Sequence, residues 1–293
     1  MSSSLMLIVN PRSGRGLSKS ALGAIISELC MADYLVTVYF SHTDRPGTLV
    51  DKYAHKHDLV VCVGGDGTLS AVVSALLHNG LSLPVGYIPA GTANDVAHTL
   101  ALSKNPGDAA KSIIAGEPKP LDIGMFGDKY FTYIAAFGAF TKASYETKQN
   151  AKRTFGHFAY LLEGLSGVFT IKPHHVIVEY DDGIIEDDFA FGGVLNSTSM
   201  AGIIRLDAKM VNLSDGMFEI FLVKKPIDPL QFLETSASIL LQEYNDDNIT
   251  FLHSSRVRFT FNEEIAWTID GEDGGKHITA DIKNHREAIR IIM

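Results

Sequence analysis

Val63-Gly64-Gly65-Asp66-Gly67-Thr68-Leu69 is the stretch on which the fold turns. An unbroken apolar run, Leu59-Val60-Val61-Cys62-Val63, leads into it, as expected of a strand buried on both faces. Leu69 to Leu77 follows with apolar residues at helical spacing. Strand, glycine-rich turn and helix in that order gather bare backbone N–H groups and a positive helix end at one point. Such a point is an anion site, most often for phosphate. Asp66 in its middle would repel a phosphate unless a cation lay between them. Magnesium suits the place, because it binds through one or two carboxylates plus substrate phosphates. The competing reading is a tight strand-to-helix turn with an aspartate near the helix start.

Outward from this run, strands are predicted at residues 5–9, 36–40, 59–63 and 84–88. Helices are predicted at 17–32, 47–57, 69–78, 95–102 and 107–116. This alternation implies a doubly wound α/β unit with a parallel sheet covered on both faces, whose ligands bind at the carboxyl ends of its strands. After Leu121-Asp122-Ile123-Gly124 the pattern changes to short strands at 129–137, 174–180, 184–187, 189–196, 217–223, 256–261 and 265–269. Asp181-Asp182-Gly183 marks a hairpin between two of them. Helices are predicted at 155–169, with an aromatic and leucine stripe, and at about 229–243. The boundary falls near Gly124.

The chain has 293 residues, of which 46% are hydrophobic and 20% charged, enough for two cores and without an apolar run long enough to span a bilayer. Its opening residues lack the features of a signal peptide. Cys30 and Cys62, its two cysteines, read as core residues of a reducing cytosol. A net charge of −9 argues against a nucleic-acid partner and against adhesion to anionic membrane by bulk charge. The eleven histidines show no metal-ligand spacing, and His174-His175 reads as surface.

Neither Gly-x4-Gly-Lys-Ser/Thr nor Gly-x-Gly-x-x-Gly after the first strand is present, so a P-loop NTPase and an ordinary dinucleotide dehydrogenase are not supported. Three small-residue loops each follow an apolar strand instead. They are Asn10-Pro11-Arg12-Ser13-Gly14-Arg15-Gly16, the Gly64–Thr68 run, and Pro89-Ala90-Gly91-Thr92-Ala93-Asn94-Asp95. Together with Leu121-Asp122-Ile123-Gly124, Ser144-Tyr145-Glu146-Thr147, Asn196-Ser197-Thr198-Ser199-Met200-Ala201-Gly202, Ser214-Asp215-Gly216 and Ile269-Asp270-Gly271-Glu272, the set resembles the diacylglycerol kinase catalytic family, which includes sphingosine and soluble bacterial lipid kinases.

The resemblance implies an N-terminal α/β unit, residues 1–125 joined by about 284–293, and a C-terminal β-sandwich at 126–283, with ATP in the cleft between them. Asn10, Ser13, Gly14, Thr43, Gly64, Gly65, Asp66, Gly67, Thr68, Leu69, Ser70 and Thr92 would then contact the nucleotide. Asp66 would organise the phosphate-bound magnesium, with Asp95 and Asp122 in the same cleft. Glu272 would be the general base that takes the proton of a lipid hydroxyl, which is the help phosphoryl transfer needs once the phosphates are positioned and neutralised. Asp215, with the carbonyls of Leu213 and Met217, would hold a second, structural magnesium. The implied partners are ATP and a lipid at the surface of a membrane, for a cytoplasmic protein that is soluble or peripheral. A homodimer is among the assemblies open to it.

Departures accompany the match. Many members continue the glycine loop as Thr-Leu-Asn-Glu, whereas this chain has Thr68-Leu69-Ser70-Ala71 and so lacks a carboxylate at the helix start. The stretch between Asp207 and Asp215 carries extra residues. Arg12 and Arg15 either reach the phosphates or are solvated. Glu272 also fits a hairpin turn, Asp122 a strand end, and Asp95 a helix cap. Lys142, Lys148, Lys152 and Arg153 form either a membrane-facing basic patch or a solvated run. Diacylglycerol is the first acceptor, while sphingosine-like bases, phosphatidylglycerol, undecaprenol and a non-lipid alcohol stay open. So do a kinase acting on NAD and a non-catalytic nucleotide- or lipid-binding protein.

Overall fold

The computed structural model describes residues 3–14, 17–42, 44–138, 172–200, 204–242, 244 and 247–293. Its first third is a parallel sheet, in which β1 (Ser4–Val9), β2 (Leu35–Phe40), β3 (Leu59–Gly64) and β4 (Val85–Pro89) lie in the order β2-β1-β3-β4. Side chains alternate across it. Leu5, Leu7 and Val9 share a core with α1 (Lys19–Met31) and α5 (Pro106–Ala115). Met6 and Ile8 share one with α2 (Pro46–Tyr53) and α3 (Asp66–His78). Each buried aliphatic side chain there contributes about 1.5–3 kcal/mol, which is why these strands read as continuous apolar runs.

One element starts earlier than the sequence spacing predicts. α3 begins at Asp66 and not at residue 69. Gly65 is its N-cap in an extended conformation, and Asp66 stands in the first turn, where a carboxylate favours the positive end of the helix. The glycine run is therefore largely the first turn of a helix. A short α4 (Asp95–Thr99) opens behind Asn94, a non-glycine residue in the left-handed region at φ 55°.

From β5 (Pro118–Phe126) onward the pairing is mostly antiparallel. β5 lies between β6 (Lys129–Phe131) and the long β15 (Glu272–Ile292), so Gly124 falls inside a strand. A Cβ at Gly124 would collide with the Phe131 ring. The single strand predicted at 129–137 is interrupted at Thr132-Tyr133, where β6 ends and β7 (Ile134–Gly138) begins. Conversely, predicted short strands fuse into β9 (Gly183–Leu195) and β14 (Arg256–Ile269), the latter with a register shift between Thr260 and Ile265. β9 and β14 each pair with both β7 and β8 (His174–Tyr180), which closes a circuit of four strands. Trp267, Phe137, Phe259, Phe131 and Phe218 fill the core there. β10 (Ser199–Met200) and β11 (Ile204–Arg205) form a small hairpin, β12 (Phe218–Lys224) and β13 (Ile249–Ser254) extend the sheet, and α6 (Pro229–Leu241) joins them.

The end of β15 returns to the parallel sheet, where Ile291 pairs with Val85 of β4. Among the described residues no helix is long and apolar enough to cross a membrane. The predicted helix at 155–169 and the basic residues ahead of it lie outside the described residues.

Candidate active site

The loops that follow β1, β3 and β4 touch. Asn10 Nδ2 donates to Thr68 Oγ1 at 3.0 Å, tying the first loop to the start of α3. Ala90 N donates to Gly64 O at 2.7 Å. Two glycines are required by this approach. A Cβ on Gly91 would lie 2.5 Å from Gly65 Cα, and one on Gly14, at φ 56°, would lie 2.5 Å from Ala90 O. Asn94 holds the third loop, accepting from Gly91 N at 2.9 Å and donating to Gly91 O at 3.0 Å.

Asp66 is 7% exposed and reaches across to α4, accepting from Asp95 N at 3.0 Å and Val96 N at 3.1 Å. Burial, and then the Asp95 charge, push its carboxyl up to about 6 against these two hydrogen bonds. Asp95 is fully buried and accepts from Ser199 Oγ at 2.5 Å. Asp270 completes the group. Its carboxylate accepts from Thr132 N, Thr132 Oγ1, Tyr133 N and Ile134 N at 2.7–3.1 Å, and Ser70 bonds to it from α3. Asp270 (φ 47°) and Gly271 (φ 81°) form the two-residue turn between β14 and β15, and Glu272 is the first residue beyond it. Glu272 is exposed and faces α3: a Cβ on Gly67 would lie 3.8 Å from Glu272 Oε1. A cavity of about 730 Å³ opens here, with Gly67, Ser70 and Ala71 on one side and Tyr130, Asp270 and Glu272 on the other. Ala71 lines it without a carboxylate.

The other candidates sort themselves by burial. Ser13 is buried at 9% exposure, while Gly14, Gly67 and Thr92 are exposed. Thr68 is buried with its hydroxyl engaged by Asn10. Leu69 stands apart from the other candidates for the nucleotide contacts. It is fully buried among Val72, Val73 and Leu76 and presents no side chain to a ligand. Thr43 and Arg15 lie outside the described residues.

Asp122 is one step removed from this cluster. The charges acting on Asp66 are those of Asp95 and Asp270. The Asp122 carboxylate instead accepts from Gly216 N at 2.6 Å and Glu287 N at 2.7 Å, which pins the loop before β12 onto β15. Its link to Asp95 runs through Asn196, which donates to Asp122 O at 2.6 Å, and through Ser197 and Ser199. That gives the Asn196–Ser199 run its structural meaning.

Among the described residues no group of three or more His, Cys, Asp and Glu side chains is arranged to hold a metal by itself. The donors nonetheless fit magnesium, which keeps its waters and shares substrate phosphates. Asp66, Asp95, Asp270 and Glu272 gather negative charge beside a phosphate-type helix end. Around Asp122, Glu219 Oε2, Asn196 Oδ1 and Asn284 Oδ1 are buried acceptors without a partner, an all-oxygen set suited to a hard cation or ordered water. Asp215 is exposed and accepts from Met217 N at 2.9 Å. Leu213 O and Met217 O accept from Asp122 N and Asn284 Nδ2, each with a second lone pair remaining.

Glu219 was not legible as special in the sequence. It is 1% exposed, and burial, with Asp215 and Asp122 nearby, pushes its carboxyl up to about 8. Because that lies above the ordinary 4.5, the folded protein holds a proton that the unfolded chain releases, and stability falls as pH rises from 4.5 to 8. Glu219→Gln is expected to match the parent near pH 5 and to melt higher at pH 8.5, by several degrees, when both are scanned in chelator. An equal melting temperature at both pH values would show that Glu219 titrates normally.

Known proteins resemble this chain along nearly its whole length. The family description "Diacylglycerol kinase catalytic domain" matches residues 4–126, which hold the three loops. A Bacillus subtilis (strain 168) protein named diacylglycerol kinase is 30% identical over 291 residues, 98% of this chain and 95% of that one. One of the same name from Staphylococcus epidermidis is 31% identical over 290 residues, covering 97% and 90%. A solved diacylglycerol kinase structure from Bacillus anthracis str. Sterne shares the fold with TM-score 0.75 at 23% identity, covering 99% and 96%. A second structure from that strain reaches TM-score 0.82 at 25% identity, covering 99% and 97%. A mixed α/β fold, touching glycine loops and kinship along nearly the whole length of these relatives lead to one conclusion: the chain belongs to the diacylglycerol kinase family.

Proposed function

We propose that this lipid kinase transfers the γ-phosphoryl group of ATP to a lipid hydroxyl, with diacylglycerol as acceptor and phosphatidic acid as product. The observation that carries the reading is the approach of Glu272 to Gly67, which sets a carboxylate opposite the helix end where phosphate would sit. The Asn10–Gly14 loop, the first turn of α3 and the loop after β4 would border the triphosphate. Asp66 and Asp95 would hold magnesium there, and the bound ion would neutralise charge developing on the phosphoryl oxygens. Asp215 with Leu213 O and Met217 O would hold the structural ion. Glu272 accepts the acceptor's proton as the oxygen attacks.

In this reading residues 1–125 with 284–293 bind the nucleotide and residues 126–283 bind the lipid, from the cytoplasmic face of a membrane. The test is radiolabelled ATP with magnesium and an extracted lipid mixture, the product being identified by mass. A labelled lipid is the expected result. Transfer to NAD and to no lipid would favour a nucleotide acceptor, and ATP binding without transfer to anything would favour a sensor.

A further inference from the structure

Tyr133 sits in the two-residue connection between β6 and β7. Its main chain is fixed at both ends, since its N–H donates to Asp270 Oδ1 at 3.0 Å and its carbonyl accepts from Asn196 N at 3.0 Å. Its ring is 7% exposed and belongs to the core shared with Ala136 and Leu195. The hydroxyl extends over the turn that separates Asp270 from Glu272, 3.6 Å from the place of a Cβ on Gly271. It is within electrostatic reach of Asp270, Asp66, Asp95 and Glu272, in that order of influence. A tyrosine hydroxyl carries one O–H donor. Ionised carboxylates only accept hydrogen bonds, and Tyr133 supplies a donor among them.

An acceptor alcohol at this place has three tasks for its oxygen. Its proton must point at a base, one lone pair must face the phosphorus, and the other needs a donor to fix the rotation. Glu272 meets the first need and the phosphate end of α3 defines the second. We propose that the Tyr133 hydroxyl meets the third, donating a hydrogen bond to the acceptor's oxygen and thereby selecting the rotamer that attacks. In the transfer, the acceptor's O–H proton passes to Glu272, its oxygen bonds to the γ-phosphorus, and the bond from that phosphorus to ADP breaks. Tyr133 keeps its proton throughout and stabilises the charge that grows on the oxygen. The assignment rests on the kinase reading given above.

Tyr133→Phe removes the hydroxyl and keeps the ring in the core, so its melting temperature is expected to stay within a few degrees of the parent's. With 1,2-diacylglycerol in anionic mixed micelles, kcat/KM for the acceptor is expected to fall about 10- to 100-fold, the loss of one hydrogen bond to developing charge. KM for ATP and the melting shift produced by ATP with magnesium should not change. Acceptor kinetics within twofold of the parent, in a variant that folds, would overturn the assignment. So would a rise in the KM for ATP that accounts for the whole loss, because the hydroxyl would then serve the nucleotide. A parent enzyme inactive toward every acceptor would overturn the kinase reading and this assignment with it, whereas an active parent with an unaffected Tyr133→Phe variant would overturn this assignment alone.

Discussion

Asp66→Asn is expected to remove acceptor phosphorylation, to below about one-thousandth of the parent rate, while leaving the protein folded. The size follows from what the carboxylate would do. A cation bridged to the transferring phosphate contributes several kilocalories per mole to the transition state, and Asp66 is the acidic residue in the first turn of α3, where the proposed phosphate would lie. Asparagine keeps one carbonyl oxygen for the N–H groups of Asp95 and Val96, so α4 loses only part of its cap. That loss is worth about 1 kcal/mol, or a few degrees of melting temperature. A second readout separates charge from structure. Asp66 is held up at about 6, above the ordinary 3.8, so its contribution to the metal-free fold is present below about pH 4 and is lost as pH rises through 6. Protons and magnesium compete for the same oxygen. Magnesium with ATP should therefore raise the parent's melting temperature strongly at pH 7.5 and weakly at pH 5, and should raise that of Asp66→Asn little at either. Turnover within tenfold of the parent would remove Asp66 from the chemistry.

The parallel sheet and its loops were legible because their signals are local. β1 and β3 are buried on both faces and so read as apolar runs. The start of α3 was not legible, since glycines at 64, 65 and 67 argue for a loop by propensity. Only the packing of three loops against one another makes the helix begin at Asp66. β15 was not predicted as a strand, because glycines at 274 and 275 and alternating charges hide one whose stability comes from pairing with both β14 and β5. The same cause hid the second half of the site. Asp270 is an ordinary turn residue until Thr132, 138 residues away, supplies its donors, and Tyr133 acquires meaning only through that contact. Asp122 reads as a strand-end acid and proves to be a staple whose donors, Gly216, Asn284 and Glu287, lie 94, 162 and 165 residues further on.

Glu272→Gln is expected to lower kcat by two to four powers of ten, the usual worth of general-base help, with the KM for ATP unchanged. The family resemblance makes Glu272 the base, whereas its local sequence alone reads as a hairpin-turn carboxylate. Its setting argues otherwise, because a turn residue without a task has no need of the anchoring found beneath it. Asp270 takes four hydrogen bonds from Thr132, Tyr133 and Ile134, and the following Asp270-Gly271 turn fixes the direction in which β15 leaves. Glu272 is thereby aimed at Gly67 from an exposed position, open to solvent and to an acceptor arriving from outside. Glutamine preserves the side chain's length and removes only its capacity to take a proton, so the fold and the binding of ATP should be retained. The pH–rate profile gives the decisive contrast. The parent's profile should carry a limb for the base that takes the acceptor's proton, and the variant's residual activity should lack it. A variant with near-normal kcat and an unchanged profile would return Glu272 to the turn and leave the acceptor's proton to another base.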